Sequence, residues 1–128
     1  MHTDKYTLRV TVDRHTVDLV ERAASDHERT LILRVDGAIL GDIHLLTCYL
    51  PSIAVGPSDV VIAGGTRLYL TSLTGGTVTR FDLDDEVHAA YSLDQRWLLV
   101  CETSVAMFDP SERGDVPHYL HDEILLDS

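Results

Sequence analysis

The sequence predicts an all-β chain built from repeated antiparallel units, and three observations carry this. Residues 60–72 (VVIAGGTRLYLTS) align with residues 97–109 (WLLVCETSVAMFD) without a gap, and a fainter copy begins at Arg9. Apolar residues recur in phase in all three copies: Val10, Val12, Val17 and Leu19; Val61, Ala63, Leu68 and Leu70; Leu98, Val100, Val105 and Met107. Alternation of this kind marks half-buried strands, because successive side chains point to opposite faces. Gly, Pro, Asp and Ser stand between the apolar runs, where chain reversals need them. A fixed-period β unit points to stacked blades or solenoid turns. The predicted architecture is three blade-like antiparallel repeats, forming a partial propeller or a β-sandwich that dimerisation is able to complete. At 128 residues the chain is one domain and long enough to bury one core.

The first unit covers about residues 5–35. In residues 6–12, Tyr6, Leu8, Val10 and Val12 fall on one side, and Thr7, Arg9 and Thr11 on the other. A polar turn at 13–15 leads to a second alternating run at 16–21. Residues 14–25 also admit a helix, with Asp13 as N-cap and Val17, Val20 and Ala24 at helical spacing. The strand is preferred, because the same slot in the other copies (67–70 and 104–108) reads as strand. The polar run 24–29 then turns into a third strand at 30–35.

Residues 36–59 break the repeat. Asp36-Gly37 suits a two-residue type I′ hairpin, whose two central positions both need positive φ. A short strand at 52–55 follows Pro51, and 56–59 form a turn. The step from Thr16 to Arg67 is 51 residues and that from Arg67 to Ser104 is 37, which leaves 14 inserted here. Insertions in repeat proteins map to loops, often on the binding face.

The second unit, about 60–87, reads as strand 60–63, hairpin turn Gly64-Gly65, strand 67–71, turn 73–76 and strand 77–82. The acidic run 82–86 is a charged turn before a strand at 87–91, and 92–96 turn again. The third unit, about 97–125, reads as strand 97–101, a turn, strand 105–108, turn 109–114 and strand 116–120. The tail 121–128 is able to pair as a last strand.

Residues 59–87 and 97–124 together resemble blades of β-propeller proteins, in the broad style of WD40 and quinoprotein-like repeats. The order that carries the resemblance is apolar strand, Gly-Gly turn, the strand of Arg67, Leu68, Tyr69 and Leu70, a second Gly-Gly turn, and strand. The run DPSERG at 109–114 is similar to the hairpin often seen between outer blade strands. What the resemblance implies is a fold and no particular activity. Closed propellers normally have four or more blades. Three repeats therefore imply two chains closing a six-bladed ring, or sheets stacked as a sandwich or curled barrel. Unpaired edge strands favour self-association in either case.

Charge narrows the partners. Ten basic against 21 acidic residues give a net charge of −11. Residues 82–128 hold 12 acidic side chains and only two arginines, a local balance of −10. A phosphate backbone is repelled by such a surface, and a basic protein is attracted. Cys48 and Cys101 lie far apart in apolar runs and read as buried reduced thiols. The N-terminus lacks the apolar core of a signal peptide. The longest apolar stretch, 43–55, is interrupted by His44, Thr47, Pro51 and Ser52, short of the roughly 18 residues of a membrane span. These features predict a cytoplasmic chain without membrane contact.

No constellation for catalysis stands out. Gly64-Gly65 and Gly75-Gly76 lack the lysine and following helix of a phosphate loop. Ser72, Ser104 and Ser111 lie outside any G-x-S-x-G context. His44 and Cys48 are close in sequence without a third group to orient them. His118 and His121 point to opposite faces of a strand, which defeats a metal pair. The acidic run 82–86 lacks the glycine and distal glutamate of an EF-hand. No cofactor or metal is expected, and Trp97 is expected in the core.

The predicted function is a non-catalytic protein-interaction module that uses the 36–59 insertion and an acidic patch of Asp82, Asp84, Asp85, Glu86, Asp94, Glu102 and Asp109. Its partner is a protein, with a basic one favoured, and the chain is expected to form a homo-oligomer. Two alternatives remain: an acidic inhibitor that masks a basic partner, and a small enzyme or ligand-binding protein whose pocket forms only in the oligomer. The latter would use His44, His88 or His118 at an oligomer interface.

Overall fold

Alternation along the chain produces strands throughout. The computed structural model describes residues 7–12, 14–47, 49–74, 77–93, 96–109 and 118–122, with backbone alone for Thr7 and for 118–122. The first sheet is a meander of β1 (Thr7–Val12), β2 (His15–Ala24), β3 (Arg29–Val35) and β4 (Ala38–Leu45), in that spatial order. The second is a six-stranded meander of β5 (Ser52–Val55), β6 (Asp59–Ser72), β7 (Thr79–Leu93), β8 (Arg96–Cys101), β9 (Ser104–Phe108) and β10 (His118–Asp122). All pairings are antiparallel. The all-β architecture is that of a partial propeller or a sandwich. The outer strands β5 and β10 do not pair, so no barrel closes among the described residues. Nor do these residues contain a helix long and apolar enough to cross a membrane.

Several local expectations hold. Residues 15–24 form a strand with β1 on one side and β3 on the other, so the helical alternative fails against two ladders of partners. Asp36 and Gly37 adopt φ of 53° and 87°, the left-handed geometry of a type I′ turn. Asp36 secures that turn through its carboxylate, which accepts from the Thr16 backbone N–H at 2.9 Å and meets His15 Nδ1 at 2.8 Å. Trp97 is buried. On the outer side of the first sheet, Arg9, Asp18 and Arg34 stand directly opposite one another across three strands. Asp18 accepts from Arg9 Nε at 2.7 Å and Nη2 at 3.2 Å, with Arg34 Nη2 at 3.7 Å.

Others need correction. Gly64-Gly65 is not a hairpin turn: β6 runs through it for 14 residues and changes partner there. Residues 60–63 pair with β5, and residues from Gly65 onward pair with β7. Gly65 has φ of 58°, and this single left-handed residue inverts the alternation of the strand. Val60 and Ile62 share a core with Tyr69, while Val61 and Ala63 share another with Leu68. The acidic run is likewise not a turn between strands. The β6–β7 register passes from Arg67↔Asp82 to Gly65↔Val87, so residues 83–86 oppose Thr66 alone in a wide bulge, and β7 continues to Leu93. In the third copy the deeply buried face is Trp97, Leu99, Cys101, Ala106 and Phe108, and the in-phase set Leu98, Val100, Val105 and Met107 is half-buried. Cys48, Gly75-Gly76, Asp94, residues 110–117 and both termini lie outside the described residues.

Two cores follow. Val17, Leu19, Leu31, Leu33, Ile43 and Leu45 of the first sheet pack on Val60, Ile62 and Tyr69 of the second. The second core lies within the six-stranded sheet, which curls so that the β5–β6 end meets β8. A Cβ on Gly56 would stand 2.9 Å from the Trp97 ring. The connection from β4 to β5, within the predicted insertion, carries the chain between sheets past the β7 bulge.

Candidate functional site

The β7 bulge is held by Asp85. Its carboxylate accepts from Ser104 Oγ at 2.7 Å, Thr103 Oγ1 at 2.9 Å and the Thr103 backbone N–H at 3.1 Å. This ties the bulge to the turn between β8 and β9. Burial pushes the Asp85 carboxyl upward, but the hydrogen bonds from Ser104, Thr103 and the Glu86 backbone outweigh it and hold the group below its ordinary value. The Glu102 backbone N–H donates to the Glu86 carbonyl at 2.8 Å, which sets the two glutamates side by side.

Alternation then decides which side chains face out. Val87 and Cys101 are paired and buried. Glu86 and His88 flank Val87, and Glu102 follows Cys101, so all three emerge on the opposite face. His88 Nε2 lies 3.2 Å from Glu102 Oε1. One donor atom each from Glu86, His88 and Glu102 lies within 4.8 Å of the other two. The β4–β5 connection walls this face. Leu46 O would stand 3.1 Å from a Cβ on Gly65, so the connection lies directly on β6 where that residue has no side chain. A pocket of about 140 Å³ opens between Thr47, Tyr49, Leu50, Gly65, Glu86 and His88. Tyr49 and Leu50 are 68% and 57% exposed, an aromatic and an aliphatic side chain presented together to solvent.

The structure divides the acidic residues predicted as one patch. Asp85, Glu86 and Glu102 meet at the bulge, and the exposed Asp84 belongs to the same bulge. Asp82 stands on the other side of it, 3.4 Å from Arg80 and 4.0 Å from Arg67. Asp109 follows Phe108, which pairs with Trp97, and so lies at the opposite end of the β8–β9 hairpin from Glu102. Asp94 lies outside the described residues. Within the acidic group, Asp85 is committed to structural hydrogen bonds.

The candidate histidines separate as well. His44 sits in the first sheet, 2.6 Å from Glu28, and its backbone carbonyl accepts from Arg67 Nη1 and the Tyr69 hydroxyl, each at 2.9 Å. His118 lies in β10, outside the described side chains. Of the two described side chains, His44 and His88, it is His88 that joins the acidic cluster. The sequence signal for this was the Glu86-x-His88 spacing, which puts both on one strand face. Glu102 depended on a pairing that only the fold supplies. Burial pushes the Cys101 thiol up to about 11, while Ser104 hydrogen-bonds it, so it remains protonated and a poor nucleophile near neutrality.

No family model matches the sequence, and no curated protein matches it. The fold is similar to the solved structure of HIRA(644-1017), with a TM-score of 0.53 and 14% sequence identity. The likeness covers 84% of this chain and 35% of that one, so the chain spans about a third of the structure it resembles. At this identity the likeness is one of fold.

Proposed function

We propose that the chain is a non-catalytic protein-interaction module whose contact surface is the β4–β5 connection and the adjoining β7 bulge. The observation that carries this reading is the exposed pair Tyr49 and Leu50 beside the carboxylates of Glu86 and Glu102. Scattered exposed apolar residues are ordinary, but an aromatic and an aliphatic side chain bordered by charge is the composition of an interface centre and its rim. Tyrosine is among the residues that dominate binding energy at such centres. The net charge of −11 favours a basic partner and disfavours nucleic acid. This charge also supports the second reading, an inhibitor that masks a basic protein. The reading includes self-association through the sheet edges at β1, β4, β5 and β10.

The test is affinity capture with the native chain and with a Tyr49→Ser, Leu50→Ser double variant. Both sites are exposed, so thermal unfolding is expected to shift little. A stoichiometric partner held by the native chain and lost from the variant supports the reading. Release by raised salt identifies the partner as basic. Equal retention by the two chains, or no partner for either, refutes it. Sedimentation of the purified chain across a concentration series tests self-association, with a dimer expected.

A further inference from the structure

The face of the second sheet next to Tyr49 carries more than negative charge. Glu86 and His88 are two residues apart on β7, and Glu102 is hydrogen-bonded through its backbone to Glu86. Their positions are therefore set by backbone pairing and by the Asp85 anchor, not by flexible side chains alone. Two carboxylates held this close repel each other, and His88 meets only one of them directly. Among the described residues no cationic side chain pairs with the Glu86 carboxylate. The residue is half-buried at the pocket wall.

We infer that Glu86, His88 and Glu102 form a binding site for one divalent transition-metal ion of the zinc type. The donor set argues for this class. An imidazole with two carboxylates suits zinc and its neighbours, whereas calcium and magnesium prefer all-oxygen shells. Distances agree as well. Zinc bonds of about 2.0–2.1 Å to nitrogen and oxygen place tetrahedral donors about 3.4 Å apart. His88 Nε2 and Glu102 Oε1 are 3.2 Å apart, and the whole trio lies within 4.8 Å. Rotation of the Glu86 and Glu102 carboxylates closes the remainder. Three protein donors leave a fourth position open, and it faces a space of about 370 Å³ bordered by Tyr49. A water or a donor from another molecule completes the shell there. The inference requires no protein partner and is independent of the interaction reading.

The test uses the untagged full chain. Zinc chloride is titrated by calorimetry, and cobalt chloride is followed by visible absorption, whose intensity reports four-coordinate geometry. One equivalent per chain is expected. His88→Ala, Glu86→Gln and Glu102→Gln are each expected to lower affinity on the order of tenfold to a hundredfold or more. His88 and Glu102 have side chains 51% and 55% exposed, so their loss should leave the thermal midpoint of the metal-free chain close to native. His44→Ala, outside the trio and beside Glu28, is the control and should bind as the native chain does. Absence of a stoichiometric zinc site in the native chain overturns the inference. So does undiminished, native affinity in all three ligand variants, which would assign the binding to other residues.

Discussion

Asp85 is the residue on which the local geometry of the candidate site rests. Asp85→Ala removes four hydrogen bonds and leaves Ser104, itself buried, without its carboxylate acceptor. A loss of about 1–3 kcal/mol is expected in urea unfolding. Its pH dependence has a definite sign. The folded carboxyl lies below its ordinary value, so the stabilisation is present above the unfolded value of about 3.9 and disappears as pH falls through the folded one. The gap between native and Asp85→Ala midpoints should therefore be full at pH 7 and close in stronger acid; a gap constant through that range would contradict the assignment. Asp18 obeys the same logic on the first sheet. The Arg9 hydrogen bond holds its carboxyl low, against the opposing effect of burial. Asp18→Ala would leave Arg9 and Arg34 adjacent with no anion between them, and Arg34 Nε already lies buried without a hydrogen-bond partner. Arg9 is largely solvated, its side chain 63% exposed, so solvent screens its share of the pair. Asp18→Ala is expected to cost about 1–3 kcal/mol and Arg9→Ala clearly less, as read from paired urea curves.

At the scale of the element, two glycines with positive φ separate a conformational cost from a steric one. A Cβ at Gly37, in the β3–β4 turn, would meet nothing within 4 Å. Gly37→Ala should therefore cost only the left-handed backbone penalty, about 1 kcal/mol. A Cβ at Gly65 would stand 3.1 Å from Leu46 O and 3.3 Å from Thr47 Cβ, so the same penalty is joined by pressure on the β4–β5 connection. Gly65→Ala is expected to cost about 2 kcal/mol or more and to alter the pocket, while Gly37→Ala leaves zinc titration unchanged. Equal costs for the two would deny that the connection rests on β6. These glycines also show how far the sequence was legible. Asp36-Gly37 was read correctly as a turn, because a type I′ hairpin depends on local dihedral preference. Gly64-Gly65 and the acidic run 82–86 were read as turns for equally good local reasons, and both lie inside long strands. Glycine pairs and clustered aspartates suit a bulge as well as a reversal. The choice between them was made by partners distant in sequence: β5 on one half of β6, and β7 on the other.

At the scale of the molecule, the alternation that predicted an all-β fold also describes its two sheets, but repeat self-similarity did not carry over into matching local structure. Residues 60–72 form one bent strand, whereas the aligned residues 97–109 form the β8–β9 hairpin. The assembly of the candidate site depended on that difference, since Glu102 occupies the tight turn that Gly64-Gly65 does not make. Whether the two sheets behave as one cooperative body is decided by the core between them. Leu33 is fully buried in β3 and shares that core with Val60, Ile62 and Tyr69 of β6. The opposite side of β6 contributes Val61, Ala63 and Leu68 to the core around Trp97, the one tryptophan of the chain. A defect at Leu33 reaches Trp97 through β6 and through β5 beside it, whose Ile53 and Val55 pack on one core while Ala54 lies in the other. Leu33→Ala should cost about 2–5 kcal/mol from lost contacts and the cavity left behind. If β6 couples the sheets, Trp97 fluorescence and far-ultraviolet circular dichroism will report one transition, displaced equally by the substitution. A Trp97 transition that stays at its native midpoint while part of the dichroism melts early would show that the first sheet unfolds by itself. The expected outcome is the single displaced transition, because the buried row of β6 serves both cores at once and neither sheet can lose its partner without exposing that row.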